Sequence, residues 1–280
     1  MSALPTLSII GCGKLGRSLA RMFLNHERVL LADVLNLNPE SGARATAFIG
    51  AGRVANTYKD LRPVDIFLIA APDDQIENCC LSLAQTGALS AKTVVFHCSG
   101  ALPSTALEAA RLQGASIASI HPIRSFAMPE KVIEDFAGTY CGVEGDQRAL
   151  DGLTTLFNSI GARFVPIDRE AKVLYHAAAV FASNYLVTLL DTAIQTYAKA
   201  GIPQDVALKM MSVLVRETTS NVLQTGPELA LTGPIARGDI DTVTRQYRAL
   251  SAAHPAHGRL YKQLGIETMH LANRRKQNNK

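Results

Sequence analysis

The sequence predicts an α/β fold, a doubly wound and mostly parallel Rossmann sheet followed by an all-helical C-terminal domain. Three observations carry this. Short apolar runs alternate with helical patterns up to Pro166, and such alternation builds a parallel sheet with right-handed crossovers. Three glycines stand directly between the first apolar run and the first helical pattern. Beyond Pro166 no strand-like run remains. Residues 1–166 are therefore assigned to the Rossmann domain and 167–280 to the helical one.

The elements follow in order. Thr6 to Ile10 reads as a buried strand, and Lys14 to Asn25 as a helix with Leu15, Leu19, Met22 and Phe23 on one face. Arg28 to Val34 is the second strand. Pro39 to Ile49 is a helix with proline in its first turn. Val64 to Ala70 (VDIFLIA) is almost continuously apolar, as a strand buried on both faces must be. Asp73 to Thr86 begins with acidic residues, which suit the positive end of a helix. Strands are expected at Thr93 to His97, Ala115 to Ile120, Thr139 to Val143 and Ala162 to Val165, with helices at Ser104 to Arg111 and Asp146 to Ser159. Then Arg169 to Ala200 carries one long helical pattern, closed by Gly201 and Pro203. Further helices are expected at Gln204 to Thr218, near Asn221, at Asp239 to Ala252 and at His257 to Gln263.

Composition narrows the function classes. Of the 280 residues, 48% are hydrophobic and 19% charged, enough to bury one large core or two ordinary ones. The net charge of +4 comes largely from Arg274 to Lys280, read as a frayed tail. No basic stripe runs through the interior, so no nucleic-acid partner is expected. The five cysteines, Cys12, Cys79, Cys80, Cys98 and Cys141, form no CxxC pair and no metal pattern. Unpatterned thiols fit a reducing compartment. The first residues lack a basic region followed by a long apolar core, so no signal peptide is read there. Polar residues break the apolar stretches before membrane-spanning length. A cytoplasmic protein without a membrane partner is expected.

The glycine loop carries the first chemical reading. Gly11, Gly13 and Gly16 form GxGxxG between strand and helix. The first glycine permits the tight turn, the second lets backbone approach a pyrophosphate, and the third lets helix and strand pack closely. Cys12, Lys14 and Leu15 complete the loop, whose helix N-terminus offers free N–H groups to phosphate. Asp33, at the end of the second strand, has the spacing to bond the ribose 2′-OH of NAD; Asn36 is the alternative at that strand end. A 2′-phosphate needs Arg or Lys there, and Arg44 is the first candidate. The spacing leans to NAD, with NADP left open. Ala70, Ala71 and Pro72 end the central strand, where ligands of such sheets bind.

Polar clusters mark the substrate side. Ser99 and Gly100 follow one strand (HCSG), and His121 and Arg124 follow the next (HPIRSF). Lys172 and His176 lie four apart and so share a helix face, with Asn184 roughly on that face further along. Reducing a carbonyl leaves an alkoxide that needs a proton, which Lys172, His176 or His121 would supply. Ser99 and Arg124 would hold a carboxylate, and Arg237, in LTGPIARGD, is a further cleft candidate. Bland readings stand beside these: His97 as a satisfied core histidine, Ser99-Gly100 as a turn, Arg237 as a C-terminal helix cap.

The blocks GCGKLGRSLA, APDDQI, FHCSGAL, IHPIRSF, AKVLYHAAAVFASNY and LTGPIARGD resemble a family of bacterial Rossmann-like proteins. Their C-terminal half is known only as a domain of unknown function. The wider relatives are β-hydroxyacid dehydrogenases, ketopantoate reductases and pyrroline-5-carboxylate reductases. The resemblance implies a helical second domain, often dimeric through long helices, and places Lys172 where many relatives keep a proton-donating lysine. Asparagines follow that lysine in ketopantoate reductases; here His176 stands four positions on.

Together these readings predict an NAD- or NADP-dependent oxidoreductase for a small 2-oxo or 2-hydroxy acid. It would act as a homodimer through its helical domain, with the substrate between the domains. Reduction of a C=N bond and non-catalytic redox sensing are the alternatives.

Overall fold

The computed structural model describes residues 3–278. It contains two compact units, Met1–Val180 and Phe181–Lys280. In the first, β1 (Thr6–Ile10), α1 (Lys14–Asn25), β2 (Leu30–Leu35), α2 (Pro39–Ile49) and β3 (Arg53–Ala55) lead to β4 (Ile66–Ile69) and α3 (Asp73–Ala84). Then come β5 (Val94–His97), α4 (Glu108–Arg111), β6 (Ser116–Pro122), α5 (Pro129–Asp135), β7 (Tyr140–Gly145), α6 (Gln147–Asn158), β8 (Arg163–Pro166) and α7 (Lys172–Ala182).

The eight strands form one sheet in the order β3-β2-β1-β4-β5-β6-β7-β8. All neighbours pair in parallel except β6 with β7. The chain winds outward from β1 to β3, then restarts at β4 on the other side of β1. That reversal opens a crevice at the carboxyl ends of β1 and β4. In β4, Ile66 and Leu68 enter one core cluster and Phe67 and Ile69 the other. This is why the strand reads as an unbroken apolar run. On the first face Phe157 packs edge-on against Phe23 and Phe96, at 5.2 and 5.9 Å.

Three short features escape the sequence pattern. Arg53–Ala55 is a strand of three residues at the sheet edge, too short for periodicity to register. Helix α5 spans seven residues. The strand-to-strand direction reverses at β7, because residues 123–139 never cross to the amino end of the sheet: Pro122 pairs with Cys141.

The first unit also outlasts its last strand, continuing from Pro166 to Val180, because α7 packs its Lys172, Tyr175 and His176 into it. The long helix expected from Arg169 to Ala200 is two helices, α7 and α8 (Asn184–Lys199), separated at Ser183, whose φ of −123° and ψ of −71° are not helical. Taken together, Lys172–Lys199 is long and apolar enough to cross a membrane by length and composition, with mean hydropathy 1.5. The polar residues within it therefore do not keep the apolar stretch below membrane-spanning length, as the sequence reading expects.

The second unit continues with α9 (Gln204–Thr225), α10 (Pro227–Ala230), α11 (Pro234–Arg237), α12 (Ile240–Ala253) and α13 (Pro255–Asn278). The helix expected at His257 to Gln263 is thus far longer, and it takes in most of the segment read as a frayed tail.

Candidate active site

The glycine loop has the geometry a dinucleotide requires. Gly11 has φ +77°, and a Cβ there would lie 2.6 Å from the Ala71 backbone nitrogen. Gly16 packs against the strand, its Cβ position 3.2 Å from Ala70 Cβ. Gly13 is different: a Cβ would meet only Gly11 O, at 4.0 Å. So the first and third glycines serve packing, and the second keeps space open above the backbone. Helix α1 begins there with no side-chain cap, leaving its first N–H groups for an anion. These residues fit a dinucleotide pyrophosphate, with Ala71 and Ala70 packed against the first and third glycines.

Asp33 is a correction. Its side chain is fully buried and is held by Arg53 Nε at 2.8 Å, by the Arg62 backbone N–H at 3.0 Å and by Arg62 Nη2 at 2.8 Å. Burial alone would raise its pKa, but the Arg62 and Arg53 hydrogen bonds outweigh it and hold the carboxyl below its usual range. A carboxylate so engaged cannot read a ribose. Asn36 is also occupied: its Oδ1 accepts from Cys12 N at 2.6 Å, tying the glycine loop to the end of β2. The Cys12 thiol, pushed up to about 12 chiefly by burial, is a packing group.

The loop after β5 is fixed from several sides. His97 is buried and donates from Nε2 to Pro103 O at 3.1 Å, while its Nδ1 accepts from Ser99 N at 3.1 Å. It is the satisfied core histidine, kept neutral by burial with a pKa of about 4. Ser99 Oγ donates to Asp73 Oδ2 at 2.7 Å and accepts from Leu102 N at 2.9 Å. Lys172, 1% exposed, donates to Ser99 O at 3.1 Å and to Ser119 Oγ at 2.6 Å. Burial pulls its pKa below the ordinary lysine value, against the opposing pull of Glu144, Cys98 and Asp73. Two of the three N–H groups of the expected general acid are therefore taken by protein oxygens, which tie it to the Ser99-Gly100 loop.

A second group lies against Gly100. His121 Nδ1 is 2.9 Å from the Tyr175 hydroxyl, and the His121 and His176 rings meet edge to face at 5.5 Å. A Cβ on Gly100 would collide with His176 Nδ1 and come within 2.9 Å of His121 Nε2. Hence Gly100 is there to admit both imidazoles. Among the described residues His176 Nδ1 is buried without a hydrogen-bond partner. Burial, then the neighbouring His176 and Lys172, hold the His121 pKa down at about 4, and burial pushes the Tyr175 hydroxyl up to about 12. At neutral pH this is an uncharged imidazole–phenol pair with one nitrogen facing the Gly100 loop.

The other expected site residues fall elsewhere. Arg124 is paired with Asp135, donating from Nη1 to the Asp135 carbonyl and from Nη2 to its carboxylate, so it does not stand free for a substrate carboxylate. Asn184 starts α8 beyond the break at Ser183, which removes the shared helix face with Lys172. It is exposed, as is Arg237 in the last turn of α11. Sequence reading missed Tyr175, Asp73 and Ser119. Only Tyr175 left a trace, as the neighbour of His176 in a polar break within an apolar helix.

Comparison with known proteins bears on the fold. A Rossmann-like domain matches residues 2–122, and DUF2520, a domain of unknown function, matches residues 139–268. No curated protein matches the sequence. A Bacteroides fragilis protein provisionally named an NADP oxidoreductase superposes with TM-score 0.80 at 20% identity, over 95% of this chain and 98% of its own. A Thermotoga maritima protein gives TM-score 0.75 at 26% identity, over 96% and 99%. An imine reductase variant from Myxococcus stipitatus, in complex with NAD+, gives 0.65 at 17% identity, over 98% and 99%. Residues 2–122 are thus similar to a Rossmann-like domain and residues 139–268 to a DUF2520 domain, and the fold is similar to that of these solved structures.

Proposed function

We propose that the protein is an NAD(P)-dependent oxidoreductase that transfers a hydride between nicotinamide and a small 2-oxo or 2-hydroxy acid, with a ketopantoate-like acid as first candidate. One observation carries this: an open glycine loop after β1 and a neutral His121–Tyr175 pair at the end of β6 share the carboxyl edge of one sheet. The bound nicotinamide supplies or accepts the hydride. The chain's own residues manage the proton. Tyr175 donates its hydroxyl hydrogen to His121 Nδ1, which places the imidazole hydrogen on Nε2, toward Gly100. As an alkoxide forms, Nε2–H protonates it, Nδ1 takes the Tyr175 proton, and solvent restores the phenol. Lys172, Ser99 and Asp73 act as positioning residues. Ser99 and Gly100 line the substrate's place, and His176 Nδ1 adds an acceptor.

The likeness to an imine reductase supports a second reading, reduction of a C=N bond, in which an iminium already carries the charge and His121 matters less. The test is oxidation of NADH and NADPH by purified protein against 2-oxo acids and cyclic imines. Turnover of an oxo acid that falls at least about 100-fold in His121→Ala supports the first reading. Turnover of imines alone, indifferent to His121, supports the second. Binding without turnover of either class overturns both in favour of a redox sensor.

The five cysteines are free, which fits the reducing cytoplasm we assign to it. A second copy of the chain would cover the helical unit. Val213, Leu214 and Leu223 on α9 are 54%, 58% and 86% exposed, and α8, α12 and α13 line an apolar groove of about 690 Å³. Surfaces of this kind mark interaction sites. Light scattering at micromolar concentration should return twice the 30.0 kDa chain mass; the mass of one chain would sink the dimer.

A further inference from the structure

We infer that the dinucleotide is NADP(H), and that Arg44 and Arg17 hold its 2′-phosphate. This rests on the dinucleotide reading above and corrects the lean toward NAD. The end of β2 and the glycine loop border a hollow of about 450 Å³ whose lining includes Arg17 from α1 and Arg44 from α2. A protein that reads the ribose diol of NAD places a carboxylate at this point. Asp33 is withdrawn into its pairing with Arg53 and Arg62, and no Asp or Glu lines the hollow.

Every charge that lines it is positive: Lys14, Arg17 and Arg44. Lys14 is engaged, its Nζ donating to Ala127 O at 3.0 Å. The two guanidiniums are not. Arg17 lies over the Phe48 ring, 4.7 Å from its centre, with a buried Nε that has no hydrogen-bond partner. Arg44 is exposed, and among the described residues it makes no side-chain hydrogen bond or ion pair. Cations gathered without an acid repel one another. A phosphate monoester offsets that repulsion and accepts the paired N–H groups that a guanidinium presents in one plane. The hollow adjoins the pyrophosphate loop on the β2 side, where the adenosine ribose of a dinucleotide on this fold lies. A ribose 2′-phosphate is the anion that this place would receive.

The test is binding rather than turnover. The protein has no Trp, so nicotinamide fluorescence is read without tryptophan interference. NADPH should bind about 10- to 100-fold more tightly than NADH, the range of one or two charge-assisted hydrogen bonds. Adenosine 2′,5′-bisphosphate should displace it more effectively than ADP. Arg44→Ala, a helix-favouring change at an exposed site, should lower NADPH affinity by about tenfold or more and NADH affinity by less than about threefold. Arg44→Lys should recover only part of the loss, because the ammonium keeps charge without the planar pair of donors. Equal affinity for NADH and NADPH, or an equal loss of both in Arg44→Ala, would overturn the 2′-phosphate site and leave the dinucleotide reading standing. Failure of both nucleotides to bind would overturn that reading and this inference with it.

Discussion

Gly13→Ala should leave the fold intact and weaken dinucleotide binding by about 100-fold or more, equivalent to a loss of about 3 kcal/mol. The position is extended, with φ −79° and ψ −153°, outside the left-handed region, and the new methyl would meet only Gly11 O at 4.0 Å. Nothing in the protein resists it. The methyl would stand where the pyrophosphate must approach the backbone. Gly11→Ala is the contrasting control. There the backbone is left-handed at φ +77°, and the methyl would fall 2.6 Å from the Ala71 nitrogen. That combination should cost about 2–4 kcal/mol of stability and lower the melting temperature by roughly 5–15 °C. Thermal melts separate the two variants, and nicotinamide fluorescence reads the binding. A Gly13→Ala protein that binds like the wild type would remove the phosphates from this loop.

The second large effect belongs to His121. His121→Ala should lower kcat on an oxo acid by about 10²–10⁴-fold, the usual worth of a positioned proton donor, while the affinity for the dinucleotide holds. Tyr175→Phe should produce a smaller loss of kcat, because Nδ1 then finds its proton in water. With its pKa near 4, His121 stays neutral through the physiological range. Its contribution to the reduction rate should be flat above about pH 5 and change only as pH drops through 4, where an imidazolium donates from Nε2 directly and no longer accepts from Tyr175. Stability has its own acid limb. His97 and His121 have folded pKa values near 4 against about 6.5 in the unfolded chain. The unfolded state therefore binds protons first as the solution is acidified. The stabilisation is complete above pH 6.5 and is lost between 6.5 and 4, on the order of 3 kcal/mol for each imidazole. Circular dichroism across that window shows which part of a rate loss is unfolding. A rate profile that titrates near pH 6.5 in folded protein would contradict the neutral pair.

What the sequence made legible was local. β1, α1 and α2 have the spans that apolar spacing, Pro39 and the glycines indicate, because each of those signals acts within a few residues. Asp33 shows how this reasoning runs out. Its spacing from the glycine loop is right, but its partner Arg53 sits directly opposite it in β3. A strand of three residues leaves no periodic trace, so the pairing that disarms the carboxylate could not be foreseen. The sequence marks Lys172 as a candidate proton donor. Its acceptors, Ser99 O and Ser119 Oγ, come from 73 and 53 positions away, and only the sheet brings them together. The His121–Tyr175 bond spans 54 positions and was hidden for the same reason.

The antiparallel pairing of β7 has a consequence for how the site is assembled. Had β7 run parallel to β6, residues 123–139 would have crossed to the amino edge of the sheet. Instead they stay at the carboxyl edge, where Ala127 receives the Lys14 ammonium. The same reversal sets Gly142 opposite His121, and the missing side chain at Gly142 makes room for the Tyr175 hydroxyl. One strand's direction thus brings a neighbour to the nucleotide loop and a seat to the proton relay. A lesion in β7, remote from both in sequence, would disturb cofactor and chemistry together.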